Sequence, residues 1–366
     1  MSPDMSVPVL RGRDEEERAL LRLLDAARTG CGGALLLVGA PGMGKTTLLD
    51  LAAARASPGF RVLRVSGVGS ESRLPYAGLH GLLRPVAASA AASLPGAQAS
   101  ALMSALESGT AAGGLALPAA VLGLLSALAA RQPVLACVDD VDLLDADSRE
   151  VLAFAARRIA AEPVALLFTA REHPRALNGP AGVESGFEGG LEGVPVRVLG
   201  GLAAAAVREL ADDLAAGKVA EDLLAALEQI ARGNPLALAE LIGALTPDQL
   251  AGLAAPPVAL PKGERLWRDH ANLLAALPPA TRRMLLLIAA DPGLDLPTLI
   301  RAARPGCALT TLEPAERAGV LHSSGDRYDF RDPAMRGVVY HGASLLRRRA
   351  AHRLLANLLE DDHPLP

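Results

Sequence analysis

Aromatic residues are nearly missing. Phe, Trp and Tyr make up 2% of 366 residues, although 51% of the chain is apolar. Leu, Val and Ala must therefore fill the interior, and a core of stacked rings is excluded. Lysine is scarce too: Lys45, Lys218 and Lys262 are the only three among 36 basic residues. The preference for arginine, like the abundance of alanine, matches a GC-rich coding bias and says little about function. Cys31, Cys137 and Cys307 are widely spaced and form neither a metal-ligand pattern nor a disulfide framework, which fits a reducing, cytoplasmic setting. The start of the chain carries Arg11, Arg13 and Asp14 where a signal segment would be apolar. The longest Ala/Leu stretch, 111–130, is interrupted by Gly113, Gly114, Pro118 and Gly123, so it reads as a buried helix and not a membrane span. The formal net charge of −4 argues against a general nucleic-acid-binding surface.

What is present is sharper. The run from Ala34 to Val38 reads as a buried strand. It leads into Gly39-Ala-Pro41-Gly42-Met43-Gly44-Lys45-Thr46, which fits G-x-x-x-x-G-K-[ST] without a mismatch. Thr47 then opens a helix that extends to about Ala56. Glycines let backbone N–H groups turn inward around phosphate oxygens, and a helix N-terminus adds its positive dipole end there. Lys45 is placed to reach the β- and γ-phosphates, and the Thr46 hydroxyl to ligate Mg²⁺.

A second buried strand, Pro133 to Val138, ends in Asp139 and Asp140. In an open parallel sheet, ligands bind at that end of the strands. Asp139 is placed to hold the Mg²⁺ shell through water, and Asp140 to orient the attacking water. Taken alone the pair also fits an acidic turn, since Asp142, Asp145 and Asp147 follow; the upstream glycine loop favours the functional reading. The strand Val164 to Thr169 ends in Ala170-Arg171-Glu172. Arg171 is either a sensor of the γ-phosphate or a surface arginine paired with Glu172. His80 has no partners at ligand spacing and reads as an ordinary packed or exposed histidine.

The organisation along the chain follows from periodicity. A disordered start is expected over 1–7. A nucleotide-binding α/β domain is expected over 8–200, with five short strands in a parallel, doubly wound sheet of the P-loop NTPase class. A mobile glycine-rich loop is expected over 178–193. Purely helical periodicity over 201–256 predicts an α-helical lid, broken by Gly233-Asn234-Pro235. Over 257–346, three helices precede a hairpin signal at Ser323-Ser-Gly-Asp326, which is the order of a winged-helix domain. A C-terminal helix and tail occupy 347–366.

Together these pieces resemble the N-terminal ATPase module of the large LuxR-type transcriptional regulators of actinobacteria, a branch of the STAND switch ATPases. The stretches that carry the resemblance are LRGRDEE at 10–16, GAPGMGKTTLL at 39–49, LPYAGLHGLLRP at 74–85, VDDVDLLD at 138–145 and AEPVALLFTARE at 161–172. They continue with ARGNPLALAEL at 231–241, LEPAERAGVL at 312–321, FRDPAMRGVVY at 330–340 and RRRAAHRLLA at 347–356. The resemblance implies that Arg13 lies against the adenine, that Arg171 senses the terminal phosphate and that Pro235 packs on the nucleotide. It also implies that the winged helix contacts ADP, often through a histidine. Asp332 stands where many of these regulators have His, and an ionised carboxylate cannot donate to a phosphate. Those regulators usually continue with a helical sensor array and a DNA-binding helix-turn-helix. Here no repeat with a period of about 34 residues is found before Pro366.

The expected function is a signalling switch that binds Mg-ATP and ADP, hydrolyses ATP slowly and changes conformation with its nucleotide. Its partners would be the nucleotide, a second copy of itself, or a downstream sensor or effector domain. The alternative is an initiator-like AAA ATPase that binds DNA through the winged helix. Against it, the stretch Ala308 to Arg317 carries Glu313, Glu316 and a single arginine, where a recognition helix should not be acidic. The cluster Arg347-Arg348-Arg349 is its only support and reads as a solvated helix face. A P-loop kinase or motor is the third reading, but no acceptor site is legible.

Overall fold

The computed structural model describes residues 10–111, 113–171, 190–302 and 309–362. The expected disordered start, most of the glycine-rich loop, Glu172 and Cys307 lie outside the described residues. The chain divides into two compact units, Met1–Gly200 and Gly201–Pro366.

The first unit begins with helix α1 (Asp14–Arg28), followed by β1 (Gly33–Gly39), α2 (Lys45–Ala56) and β2 (Arg61–Ser66). Three helices come next: α3 (Ala77–Ala90), α4 (Gly96–Ser108) and α5 (Ala116–Ala129). Then β3 (Val134–Asp139), α6 (Ala146–Ala156), β4 (Val164–Arg171) and β5 (Val196–Leu199) complete it. The five strands form one parallel sheet in the order β2-β3-β4-β1-β5.

Alternation along the strands divides the core into two layers. Leu36, Val38, Ala136, Val138, Leu166 and Phe168 face the layer built with α3 to α6. Leu35, Leu37, Leu135, Cys137, Ala165 and Leu167 face α1 and α2. Both faces are covered, which is why the strands read as unbroken apolar runs. Phe168 is the one aromatic among the largest fully buried side chains; leucine does the rest.

Parallel register brings the functional strand ends level. Gly39 pairs with Arg171 on one side and with Leu199 on the other, and Ser66 pairs with Asp139. Gly67, just past β2, allows a close backbone approach. A Cβ there would lie 2.2 Å from the Asp140 carbonyl oxygen.

One buried carboxylate ties the α3 entry to the segment after β3. Asp145, 2% exposed, caps α6 by accepting the Ser148 N–H. Its oxygens also accept the N–H groups of Tyr76 and Gly78, each at 2.9 Å. The Ser148 hydroxyl accepts the Leu79 N–H.

The second unit is helical. It holds α7 (Ala204–Leu214), α8 (Glu221–Ala231), α9 (Pro235–Gly243), α10 (Pro247–Leu250), α11 (Arg265–Ala275), α12 (Pro279–Ala290) and α13 (Leu296–Ala302). After these come α14 (Glu313–Arg317), the antiparallel pair β6 (Leu321–Ser324) and β7 (Arg327–Phe330), α15 (Pro333–Gly342) and α16 (Leu345–Asp362). Asn234 caps α9 with its side-chain oxygen, which accepts the Leu236 and Ala237 N–H groups, and Pro235 occupies the first turn where it lacks no needed donor. The single tryptophan, Trp267, is buried here beside α9 residues.

The helix expected at about Leu309 to Ala318 is shorter in the structure. A 3₁₀ turn over Leu309–Thr311 precedes α14, which has only five residues. Pro314 explains this: with no N–H and a ring that clashes with the preceding turn, it fits the start of a helix and not its middle.

Removing the Asp145 carboxylate leaves three buried or half-buried N–H groups without an acceptor. Asp145→Ala is expected to destabilise the first unit by about 2–4 kcal/mol, read as a lower midpoint in urea unfolding followed by far-UV circular dichroism.

Candidate nucleotide site

The site grows from the turn after β1. Gly42 and Gly44 have φ of +83° and +88°, in the left-handed region that favours glycine. The chain thereby turns sharply into α2. Among the described residues, the N–H groups of Gly44, Lys45, Thr46 and Thr47 donate to no acceptor. Four free donors at a helix N-terminus form an anion cradle.

Lys45 is buried at 7% exposure. Its ammonium donates to the carbonyl oxygens of Gly39 (2.7 Å) and Ala40 (3.1 Å). Burial pushes its pKa below the usual lysine range; Asp140, Asp142 and Asp139 oppose that, while Arg171 adds to it. The ammonium is thereby fixed beside the free N–H groups of the loop, where it adds positive charge, and the nearby carboxylates keep it protonated.

The strand ends supply the rest. Thr46 Oγ1 donates to Asp139 Oδ2 at 2.9 Å. On the other side, Thr169 Oγ1 donates to Asp139 Oδ1 and accepts the Asp140 N–H at 2.9 Å. Asp140 adopts φ +46°, unusual for a residue with a side chain. Its carboxyl pKa is raised, first by burial, then by Asp139 and Asp142; Arg171 and Lys45 pull the other way. The Arg171 N–H donates to Asp142 Oδ1 at 3.2 Å, and its guanidinium lies 3.5 Å from Asp142 Oδ2.

Gly39, Pro41, Gly42, Met43, Gly44, Lys45, Thr46, Thr47, Asp139, Asp140 and Arg171 therefore gather at one edge of one sheet. Arg13, only 6% exposed, lies beside this loop. Its guanidinium donates to the carbonyl oxygens of Met43 (3.2 Å) and Gly200 (2.7 Å), with Glu16 3.5 Å away. It thus straps the loop to the end of the sheet. Pro235 belongs to the second unit.

The first unit has the fold of the P-loop NTPases. Residues 9–168 match the family model described as AAA ATPase domain. The Walker-type ATPase of Pyrococcus abyssi is similar in structure over 89% of this chain and 95% of that one, at 18% identity and a TM-score of 0.54. The ORC1 protein of Aeropyrum pernix, solved in complex with DNA, is matched over 97% of this chain and 94% of that one at 18% identity and a TM-score of 0.44. A STAND protein of Pyrococcus horikoshii with a tetratricopeptide repeat sensor covers 99% of this chain and 46% of its own, at 16% identity and a TM-score of 0.36. No curated protein matches the chain.

Two residues of the site escape a sequence reading. Thr169 is the polar end of an apolar run, and its position before Ala170-Arg171 was the available signal. Asp142, read from sequence only as part of an acidic turn, pairs with Arg171; Glu172, the partner in the alternative reading of Arg171, lies outside the described residues. The P-loop fits a nucleotide and its metal by the free N–H groups, the buried ammonium and the Thr46–Asp139 contact. Among the described residues no group of three His, Cys, Asp or Glu side chains forms a metal cluster of its own. No described helix is long and apolar enough to cross a membrane.

Lys45→Ala removes the one cation inside the cradle and is expected to weaken ATP binding by about 10- to 100-fold in calorimetry. Thr169→Val keeps the shape but releases Asp139 and the Asp140 N–H. It is expected to raise the Mg²⁺ concentration needed for ATP binding, while metal-free binding of ATP stays unchanged.

Proposed function

We propose that this chain is a STAND-type signalling ATPase, a switch that binds Mg-ATP and ADP, hydrolyses ATP slowly and couples its nucleotide state to conformation, as part of LuxR-type transcriptional regulation. The observation that supports it best is the convergence on one sheet edge of a free N–H cradle, a buried lysine, the Thr46–Asp139 contact and a second carboxylate, Asp140.

In this reading the P-loop N–H groups and Lys45 hold the β- and γ-phosphates. Thr46, and Asp139 through water, would hold Mg²⁺, which supplies charge neutralisation on the phosphate oxygens. Asp140 accepts a proton from the attacking water or orients it. Its backbone, pinned by Thr169, fixes where that carboxylate points. Arg171, held by Asp142, reads the presence of the terminal phosphate. A ligand shifts such a switch only by the difference in its affinity for the two states, and loss of one phosphate is a large difference in charge.

The second unit carries the lid and winged-helix assignments of this proposal. Asp332 enters it with both oxygens engaged: Oδ1 accepts the Ala334 N–H at 2.9 Å, and Oδ2 lies 2.8 Å from His270 Nε2. The reading therefore routes no phosphate contact through Asp332. The winged helix also lacks a basic reading helix, since α14 is five residues long and carries Glu313 and Glu316. Partners are accordingly sought in self-association or an effector domain, before DNA.

Asp140→Asn is expected to leave Mg-ATP bound and to slow turnover by about 100-fold; wild-type turnover would remove Asp140 from the mechanism. The pH profile gives an independent check. Because the Asp140 pKa is raised, the active carboxylate is lost as pH falls through a value above the ordinary aspartate range. Turnover should decline in acid sooner than an ordinary aspartate would dictate, and Asp140→Asn should abolish that limb. Purified protein should also release bound ADP on denaturation, seen by chromatography of the supernatant.

A further inference from the structure

The second unit holds a cavity of about 290 Å³, close to the lower end of the roughly 300–1,000 Å³ usual for small-molecule sites. Its walls come from the end of α8, residues 258–259, the end of α12 and α15 along its length from Pro333 to His341. Arg232, Arg336 and His341 line it, and Ile230, Ala289 and Tyr340 supply apolar surface. No Asp or Glu is among the lining residues.

The two arginines are poorly compensated. The Arg336 Nε–H donates to the Ala289 carbonyl at 3.0 Å, which fixes the guanidinium without neutralising it. Burial and the charge of Arg232 push its pKa below the usual arginine range, and Asp291 is the acid that opposes this. Arg232 ends α8 in a left-handed conformation. Its side chain makes no hydrogen bond or ion pair among the described residues. His341 is likewise surrounded by like charge. Burial, Arg348 and Lys262 hold its pKa down, so it stays neutral near pH 7 and can donate or accept a hydrogen bond. Two guanidinium groups beside a concave apolar wall, with no carboxylate in the lining, are the complement of a compact dianion on an apolar body.

We propose that this cavity is an anion site separate from the P-loop, and that it takes a small phosphate monoester whose apolar part rests on Ile230, Ala289 and Tyr340. Nothing in the P-loop chemistry calls for it, so it stands or falls independently of nucleotide turnover.

Phenyl phosphate serves as the probe, titrated by calorimetry into the full chain. Saturable binding is expected in the wild type and, unchanged, in Lys45→Ala. Arg232→Gln and Arg336→Gln should each weaken it by about tenfold, the loss typical of one charge-assisted hydrogen bond. Arg232 is exposed, so that variant tests the site even if Arg336→Gln lowers the melting temperature. Absence of saturable binding to the wild type overturns the proposal. So does loss of binding in Lys45→Ala, or retention of full affinity in Arg232→Gln. A fall in ATP affinity in Arg232→Gln matching that for phenyl phosphate would assign the arginines to the nucleotide and equally overturn a separate site.

Discussion

The candidate site depends on how one carboxylate is held. Asp139 sits 8% exposed at the end of β3, with one oxygen toward Thr46 on the P-loop helix and the other toward Thr169 on the neighbouring strand. A buried carboxylate would be costly without such donors. Two hydroxyls, one for each oxygen, satisfy it. The same Thr169 hydroxyl accepts the Asp140 N–H, so the two consecutive carboxylates are positioned by a single side chain. Sheet register makes this possible, because parallel strands carry β1, β3 and β4 to a common edge.

Much of the fold was legible because its signals are local. A fully covered parallel strand writes itself as an apolar run, and Ala34–Val38, Val134–Val138 and Val164–Thr169 did so. The P-loop was legible because glycine, lysine and threonine at fixed spacing answer to one geometry. Long-range partners were not. Nothing in the spacing of Asp145 shows that it accepts N–H groups from Tyr76 and Gly78, almost seventy positions earlier in the chain. The spacing of Arg171 likewise does not show that the turn after β3 brings Asp142 to it. Pro314 shortened a helix whose apolar spacing suggested a longer one.

Asp332 serves two elements of the second unit at once. An aspartate is a good N-cap, and here it caps α15 through the Ala334 N–H. Its second oxygen finds His270, 2% exposed on α11. The carboxylate thus starts one helix and holds an imidazole that comes from another. The pair joins α11 to α15 inside the second unit, and a phosphate contact from this position would have to break it.

The scarcity of aromatics has an optical consequence. Trp267 is the only indole in the chain and is buried in the second unit, with the Lys262 ammonium 5.7 Å from its ring centre. Two of the three tyrosines, Tyr328 and Tyr340, belong to that unit as well, leaving Tyr76 alone in the first. Intrinsic tryptophan emission is therefore a reporter confined to the helical half. A change in that emission when nucleotide is added would have to originate where the phosphate-binding loop is not.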